Sequence, residues 1–162
     1  FGEIAQKTAD LAKSFNMEIM AFDPFLDKKS SAWNNVKNVD LEKLLKGSDV
    51  ISIHTPLSES TRHLINSTNL NFMKKTAVII NAARGGVIDD KALSEKLRKN
   101  EIKGAALDVF ETEPMDVNSG SYFHGLKNVI LTPHIAGVTE ESNVNVSAMI
   151  ADKIDQHLSS SI

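Results

Sequence analysis

Asn81-Ala82-Ala83-Arg84-Gly85-Gly86-Val87-Ile88-Asp89 sits between two segments of different periodicity. Before it, Ala77-Val78-Ile79-Ile80 is a short apolar run rich in β-branched residues, which predicts a buried strand of a parallel sheet. After it, the run from Asp89 to Lys99 predicts an amphipathic helix with Asp89 as its N-cap. Arg84 therefore lies just past the carboxyl end of a predicted strand, the edge at which open α/β sheets bind ligands. Gly85 and Gly86 let the backbone turn sharply or approach a ligand closely. An ordinary surface arginine in a strand-to-helix loop fits the same stretch, so the flanking segments have to decide.

Downstream, Gly104 to Val109 predicts a strand. The segment from Glu113 to about Lys127, with Pro114, Gly120 and Gly125, reads as a loop. Asn128 to Leu131 predicts the last strand, running into Thr132-Pro133-His134. Thr139 caps a final helix over about 139–159, with Glu140 and Glu141 in its first turn, where acids suit the helix dipole. Val146, Ile150, Ile154 and Leu158 line one of its faces. Upstream, Asp49 to His54 predicts a strand stopped by Thr55-Pro56, and Asn66 to Met73 a short helix. Leu41, Leu44 and Leu45 mark a helix closed by Gly47. Lys37 to Val39 reads as a short edge strand, and Glu18 to Phe22 as a strand ending at Asp23-Pro24. Ile4, Thr8, Leu11, Ala12 and Phe15 fall at helical spacing and predict one buried stripe, with Asn16 as the stop. Strand and helix in alternation predict an α/β fold, a doubly wound parallel sheet. In such a nucleotide-binding sheet a strand precedes the first glycine loop and lies mid-sheet. This chain begins at the loop itself. The expectation is a domain truncated before that loop, with unpaired backbone on the two strands that would flank the absent one.

The 162 residues, 41% apolar and 24% charged, suit one ordinary globular domain over 1–162. A net charge of −3 gives no basic excess for nucleic acid. No apolar run is long enough to span a membrane, and the start lacks a basic segment followed by an apolar one. The absence of cysteine makes a reducing, cytoplasmic setting the default. No two histidines stand at metal-ligand spacing, so no metal is expected. No G-x-S-x-G elbow points to a serine hydrolase.

Two groups of residues carry chemistry. Gly2 and Ala5 fit the second and third positions of a G-x-G-x-x-G/A loop. Asp23 follows Gly2 by 21 residues, at the end of the next predicted strand. There a carboxylate accepts hydrogen bonds from an adenosine ribose and repels a 2′-phosphate, which favours NAD over NADP. Asp23-Pro24 is also a plain turn starter. Glu113 and His134 form the second group. Loops at the carboxyl ends of neighbouring strands can bring them together. A carboxylate bonded to an imidazole orients the ring as a general acid, worth roughly 10²–10⁴ in rate. Arg84 nearby can hold an anionic substrate with its planar fork. A lone loop histidine is usually structural, but Arg, Glu and His on three successive strand ends are harder to dismiss. His54 either lines a cofactor site or bonds loop backbone. His63, His124 and His157 read as exposed or structural.

Gly2-Glu3-Ile4-Ala5, Asp23-Pro24, His54-Thr55-Pro56-Leu57, Asn81-Ala82-Ala83-Arg84-Gly85-Gly86, Ala106-Leu107-Asp108-Val109-Phe110-Glu111-Thr112-Glu113-Pro114 and Thr132-Pro133-His134-Ile135-Ala136-Gly137 together resemble the NAD-binding, Rossmann-type domain of the D-isomer-specific 2-hydroxyacid dehydrogenases. Order and spacing match over the whole chain. The first motif is truncated and has Ala5 for the third glycine. The resemblance implies hydride transfer between NAD(H) and C2 of a small D-2-hydroxy or 2-keto acid. It implies His134 as proton donor and acceptor, Glu113 as its partner, and Arg84 on the substrate carboxylate. It places Asp108 on the nicotinamide carboxamide and Asp23 on the adenosine ribose. Thr55 and Pro56 then border the adenosine half, and Ala82, Ala83 and Gly137 the nicotinamide half. Glu3 and Ile4 offer backbone N–H groups to the pyrophosphate. It further implies a homodimer through this domain and a separate substrate domain, absent here, to which the last helix leads back. The closest branch in pattern is the phosphoglycerate, glycerate and hydroxypyruvate type. A second reading from another class is a non-catalytic module that senses NAD(H) and recruits a protein.

Overall fold

A computed structural model describes residues 1–159; the domain limits above run to residue 162, and 160–162 lie outside the described residues. The elements run α1 Glu3–Lys13, β1 Met20–Ala21, a 3-10 turn Ser31–Trp33, β2 Lys37–Asn38, α2 Leu41–Gly47 and β3 Val50–Ile53. They continue α3 Ser67–Leu70, β4 Val78–Asn81, α4 Asp90–Arg98, β5 Gly104–Leu107, α5 Val117–Ser121, β6 Val129–Leu131 and α6 Glu140–Ser159. All pairings between these strands are parallel, as the strand-helix alternation predicts.

The strands divide into a pair, β1-β2, and a four-stranded sheet in the order β3-β4-β5-β6. Among the described residues no strand lies between β1 and β3. A cleft of about 630 Å³ separates them, lined by Phe1, Ala5, Met20, Ile51, Ile53 and His54 among others. The gap falls where the sequence leads one to expect an absent strand.

In the larger sheet Ile53 stands opposite Asn81, Asn81 opposite Leu107, and Leu107 opposite Leu131. The four strands therefore end on one rung. The residues just beyond, His54, Ala82, Asp108 and Thr132, share the carboxyl edge although they lie far apart in sequence. Ile79 and Leu107 within the sheet, with Ile65, Ile88, Leu93 and Leu97 from the segments around it, are fully buried and belong to the core.

The Asp89 cap forms as predicted. Its carboxylate accepts the Ala92 N–H at 2.9 Å and opens α4. Asp89→Ala leaves that N–H unsatisfied. The expected loss is about 1 kcal/mol, read in thermal melts as a Tm lower by about 2–4 °C.

Three local expectations need correction. The α1 stripe is not buried: Ile4, Leu11 and Phe15 are 72%, 68% and 79% exposed, while Ala5 and Ala9 face inward. Small alanines let α1 approach closely, and among the described residues nothing covers the bulkier face. The strand at Glu18–Phe22 contracts to Met20–Ala21, because β2 offers only two partners. The segment after Glu113 is not all loop. Asp116 accepts the Ser119 N–H at 2.7 Å and Ser119 Oγ receives the Asp116 N–H at 3.0 Å, a reciprocal cap that starts α5. In α6, Val146, Ile150, Ile154 and Leu158 do share a face, but all four are exposed.

Candidate active site at the carboxyl edge

The Arg84 turn is built by its neighbours. Asn81, the buried last residue of β4, accepts the Ala83 N–H at 3.0 Å and donates its amide to the Arg84 carbonyl at 3.0 Å. Gly85 packs directly on the Phe110 carbonyl, where a Cβ would stand 1.7 Å from the oxygen. Gly86 adopts φ +76°, a left-handed conformation suited to glycine. The turn leaves Arg84 exposed, its guanidinium donating to the Ala83 carbonyl at 2.6 Å. Among the described residues Arg84 forms no ion pair with a carboxylate, so its charge is available to an anion.

Glu113 and His134 meet. Glu113 Oε2 lies 2.7 Å from His134 Nδ1, and Glu113 Oε1 accepts the Phe110 N–H at 2.8 Å. Burial works to raise the Glu113 carboxyl, but the bonds from His134 and Phe110 outweigh it and hold it below the usual glutamate range. As a carboxylate Glu113 only accepts, so Nδ1 donates and Nε2 is the ring's outward atom. His134 sits at φ +54°, its N–H on the Thr132 carbonyl at 3.0 Å.

Asp108 anchors that loop. Its carboxylate accepts Thr132 Oγ1 at 2.6 Å and the N–H groups of Ile135 and Ala136, each at 2.9 Å. Burial pushes the Asp108 carboxyl up, but these three donors outweigh it and hold it low. The resemblance assigns Asp108 to a carboxamide; in the structure its oxygens are engaged in shaping the turn that presents His134.

At the other end of the edge, α1 begins at Gly2 without any side-chain cap, and its first helical bond is Gln6 N–H to the Gly2 carbonyl. The N–H groups of Glu3, Ile4 and Ala5 have no helix carbonyl to bond. A Cβ at Gly2 would meet nothing within 4 Å, so there is open space beside Gly2. An uncapped helix end with room before it suits a pyrophosphate. Asp23 Oδ1 accepts the N–H groups of Phe25 and Leu26, the turn-starter role. Thr55 and Pro56 follow β3, with the Pro56 carbonyl accepting buried Thr61 at 2.7 Å. His54 lines the cleft between β1 and β3; its Nε2 lies 2.9 Å from Ser52 Oγ, and burial lowers its pKa. Ala82 and Gly137 are exposed and Ala83 half-buried at the same edge.

Sequence reading missed Asn81 and Asp90. The first was legible as a polar residue ending an apolar strand. The second was read only as part of a helix, yet it is 6% exposed and accepts the Glu111 N–H at 2.9 Å. Burial pushes its carboxyl up to about 6; the Glu111 N–H opposes this, the charges of Glu111 and Asp89 add to it, and His63 opposes it. The folded-state value lies above the ordinary one, so folding binds protons between the two. The contribution of Asp90 to stability is thus present at low pH and lost as pH rises toward about 6. Asp90→Asn keeps an acceptor without the charge. It should melt above wild type near pH 8, with the difference vanishing toward pH 4.

Among the described residues no helix is long and apolar enough to cross a membrane, and no three His, Asp or Glu gather as metal ligands. Comparison with known proteins places the whole chain in a family. The sequence profile of the family described as "D-isomer specific 2-hydroxyacid dehydrogenase, NAD binding domain" matches residues 1–136. (S)-Sulfolactate dehydrogenase of Chromohalobacter salexigens is 44% identical over 159 residues, covering 98% of this chain and 51% of the relative. Hydroxypyruvate reductase of Thermotoga maritima is 42% identical over 158 residues, with coverage of 98% and 51%. The crystal structure of D-lactate dehydrogenase from Aquifex aeolicus, complexed with NAD and lactic acid, superposes with a TM-score of 0.85 at 29% identity, covering 98% of this chain and 51% of that one. The chain spans about half the length of these relatives. A parallel sheet, an uncapped glycine-led helix and an Arg, Glu, His edge thus coincide with a profile match over most of the sequence: the chain belongs to the NAD-binding domain family of the D-isomer-specific 2-hydroxyacid dehydrogenases.

Proposed function

We propose that this chain is the cofactor half of an NAD-dependent oxidoreductase that interconverts a small D-2-hydroxy acid and its 2-keto acid. The observation that carries the reading is the 2.7 Å contact of Glu113 with His134 Nδ1, on the sheet edge that also presents Arg84. Bound NAD supplies the hydride acceptor, and NADH the donor, at the nicotinamide. Arg84 binds the substrate carboxylate and fixes which way C2 faces. His134 holds a proton at Nε2 and gives it to the C2 oxygen in reduction, or removes it in oxidation. Glu113 keeps the ring in the tautomer this needs. The N–H groups of Glu3 and Ile4 receive the pyrophosphate. Asp23 receives the ribose hydroxyls on its carboxylate.

Two measurements test this. A panel of 2-keto acids with NADH and the full-length protein should show turnover with at least one short 2-keto acid; none would end the reading. Calorimetric titration should show NADH binding at least tenfold tighter than NADPH, and Asp23→Ser should erase most of that difference. Equal affinities in wild type would remove Asp23 from the ribose site.

A further inference from the structure

Arg84 and the Glu113–His134 pair come from different loops, and the chemistry proposed above needs them at one fixed spacing. A network outside the reacting groups, anchored on the buried Asp90, joins the two. Asp90, the first residue of α4, follows the Arg84 turn closely and receives the Glu111 N–H at 2.9 Å. Glu111 lies between Asp108 and Glu113. Its side chain reaches a third segment: Oε1 is 2.8 Å from His63 Nε2 and 3.6 Å from the Arg62 guanidinium. That segment is bonded back to the Arg84 turn. His63 N–H donates to the Gly86 carbonyl at 2.8 Å, Ile65 N–H to Val87 at 3.1 Å, and Asp89 N–H to Ile65 at 2.9 Å. His63 holds φ +50°, a left-handed conformation that a non-glycine residue adopts only when its surroundings require it. The circuit closes where Gly85 rests on the Phe110 carbonyl.

We infer that Asp90 and Glu111 are positioning residues: the Asp90 carboxylate on the Glu111 backbone, and the Glu111 side chain on His63, lock the loop carrying Glu113 to the turn carrying Arg84. Neither touches substrate. A buried carboxylate beside two other acids, Asp89 and Glu111, is costly to keep for packing alone, since an apolar residue would fill the same space without the charge. The inference rests on the dehydrogenase reading, but the first readout below does not.

The test uses Asp90→Leu, Asp90→Asn and Glu111→Ala in the full-length protein, with the His134 ring nitrogens followed by NMR without substrate. Asp90→Leu removes the acceptor, Asp90→Asn retains one, and Glu111→Ala cuts the link to His63 at an exposed side chain. The expected result is that Asp90→Leu and Glu111→Ala shift the His134 Nδ1 resonance while the Trp33 indole signal stays in place. Asp90→Asn should return it to the wild-type position. With a keto acid that wild type reduces, kcat should fall at least tenfold in the two disruptive variants, with a smaller change in the KM for NADH, and recover in Asp90→Asn. His134 resonances unchanged in folded Asp90→Leu and in Glu111→Ala would overturn the inference, whatever wild-type activity proves to be. Should Asp90→Leu fail to fold, Glu111→Ala decides alone. An inactive wild type with shifted His134 signals would refute the dehydrogenase reading and leave the network standing.

Discussion

His134→Ala in the full-length protein is expected to lower kcat by about 10²–10⁴, the range typical of losing a positioned general acid, while NADH binds as before. The separation follows from the geometry. His134 belongs to the loop after β6, held by Asp108 and Glu113, whereas the proposed pyrophosphate donors lie at the start of α1. Removing the imidazole takes away the proton at Nε2 without touching those donors. Glu113→Gln provides the finer test. A glutamine can still accept from Nδ1 but carries no charge to stabilise the protonated ring, so activity should fall less than in His134→Ala and the pH–rate profile should shift. Stopped-flow turnover beside NADH fluorescence titration separates the two effects. Turnover at the wild-type level in His134→Ala would take this histidine out of the proton path.

Among the glycines of this chain, Gly85→Ala should produce the largest loss of stability. The new carbon would stand 1.7 Å from the Phe110 carbonyl oxygen and 2.2 Å from its carbon. Both are backbone, with β5 and the Asp90 bond behind them, so neither can swing aside as a flexible side chain would. Relief requires moving either the Arg84 turn or the Phe110–Glu113 loop. The expected cost is about 3 kcal/mol or more, a Tm lower by roughly 6–12 °C in a domain of this size. Gly2→Ala is the matched control. It meets no atom within 4 Å, so its Tm should stay close to wild type while dinucleotide affinity drops, because the added methyl enters the space left for the ligand. Differential scanning calorimetry of the two variants gives the comparison. A Gly85→Ala protein that melts with wild type would mean the turn and the Phe110 loop part easily, contrary to the packing described.

What was legible in the sequence was mostly local. Asp89 before a periodic run predicts a cap, and the cap forms. Asn16 was read as a helix stop and has φ +59°. Arg84, Glu113 and His134 could be placed on strand ends because strand-helix alternation implies that all carboxyl ends share an edge. Periodicity failed at α1, since it shows which residues share a face but not whether another element covers that face. The α5 helix was hidden by Gly120 and Pro114, although the Asp116-x-x-Ser119 spacing was a usable signal. Asp90, Glu111 and His63 were beyond reach for another reason. Their contacts join segments that meet only once the sheet register and the Gly85 approach are known, and no spacing within one segment encodes that.

The alignment of Ile53, Asn81, Leu107 and Leu131 on one rung has a further consequence for how such a chain can change. Parallel strands return at the opposite edge, through connections such as Lys74-Lys75-Thr76, the segment from Lys99 to Lys103, and Gly125-Leu126-Lys127. Those returns lie a full strand length from Arg84, Asp108 and His134. Extra chain spliced into them would alter the outline of the molecule while the rung kept its spacing. The two ends of each strand are therefore unequal as building ground: one carries the proposed site, and the other is open to appended modules, regulatory or oligomerising, that need not disturb it.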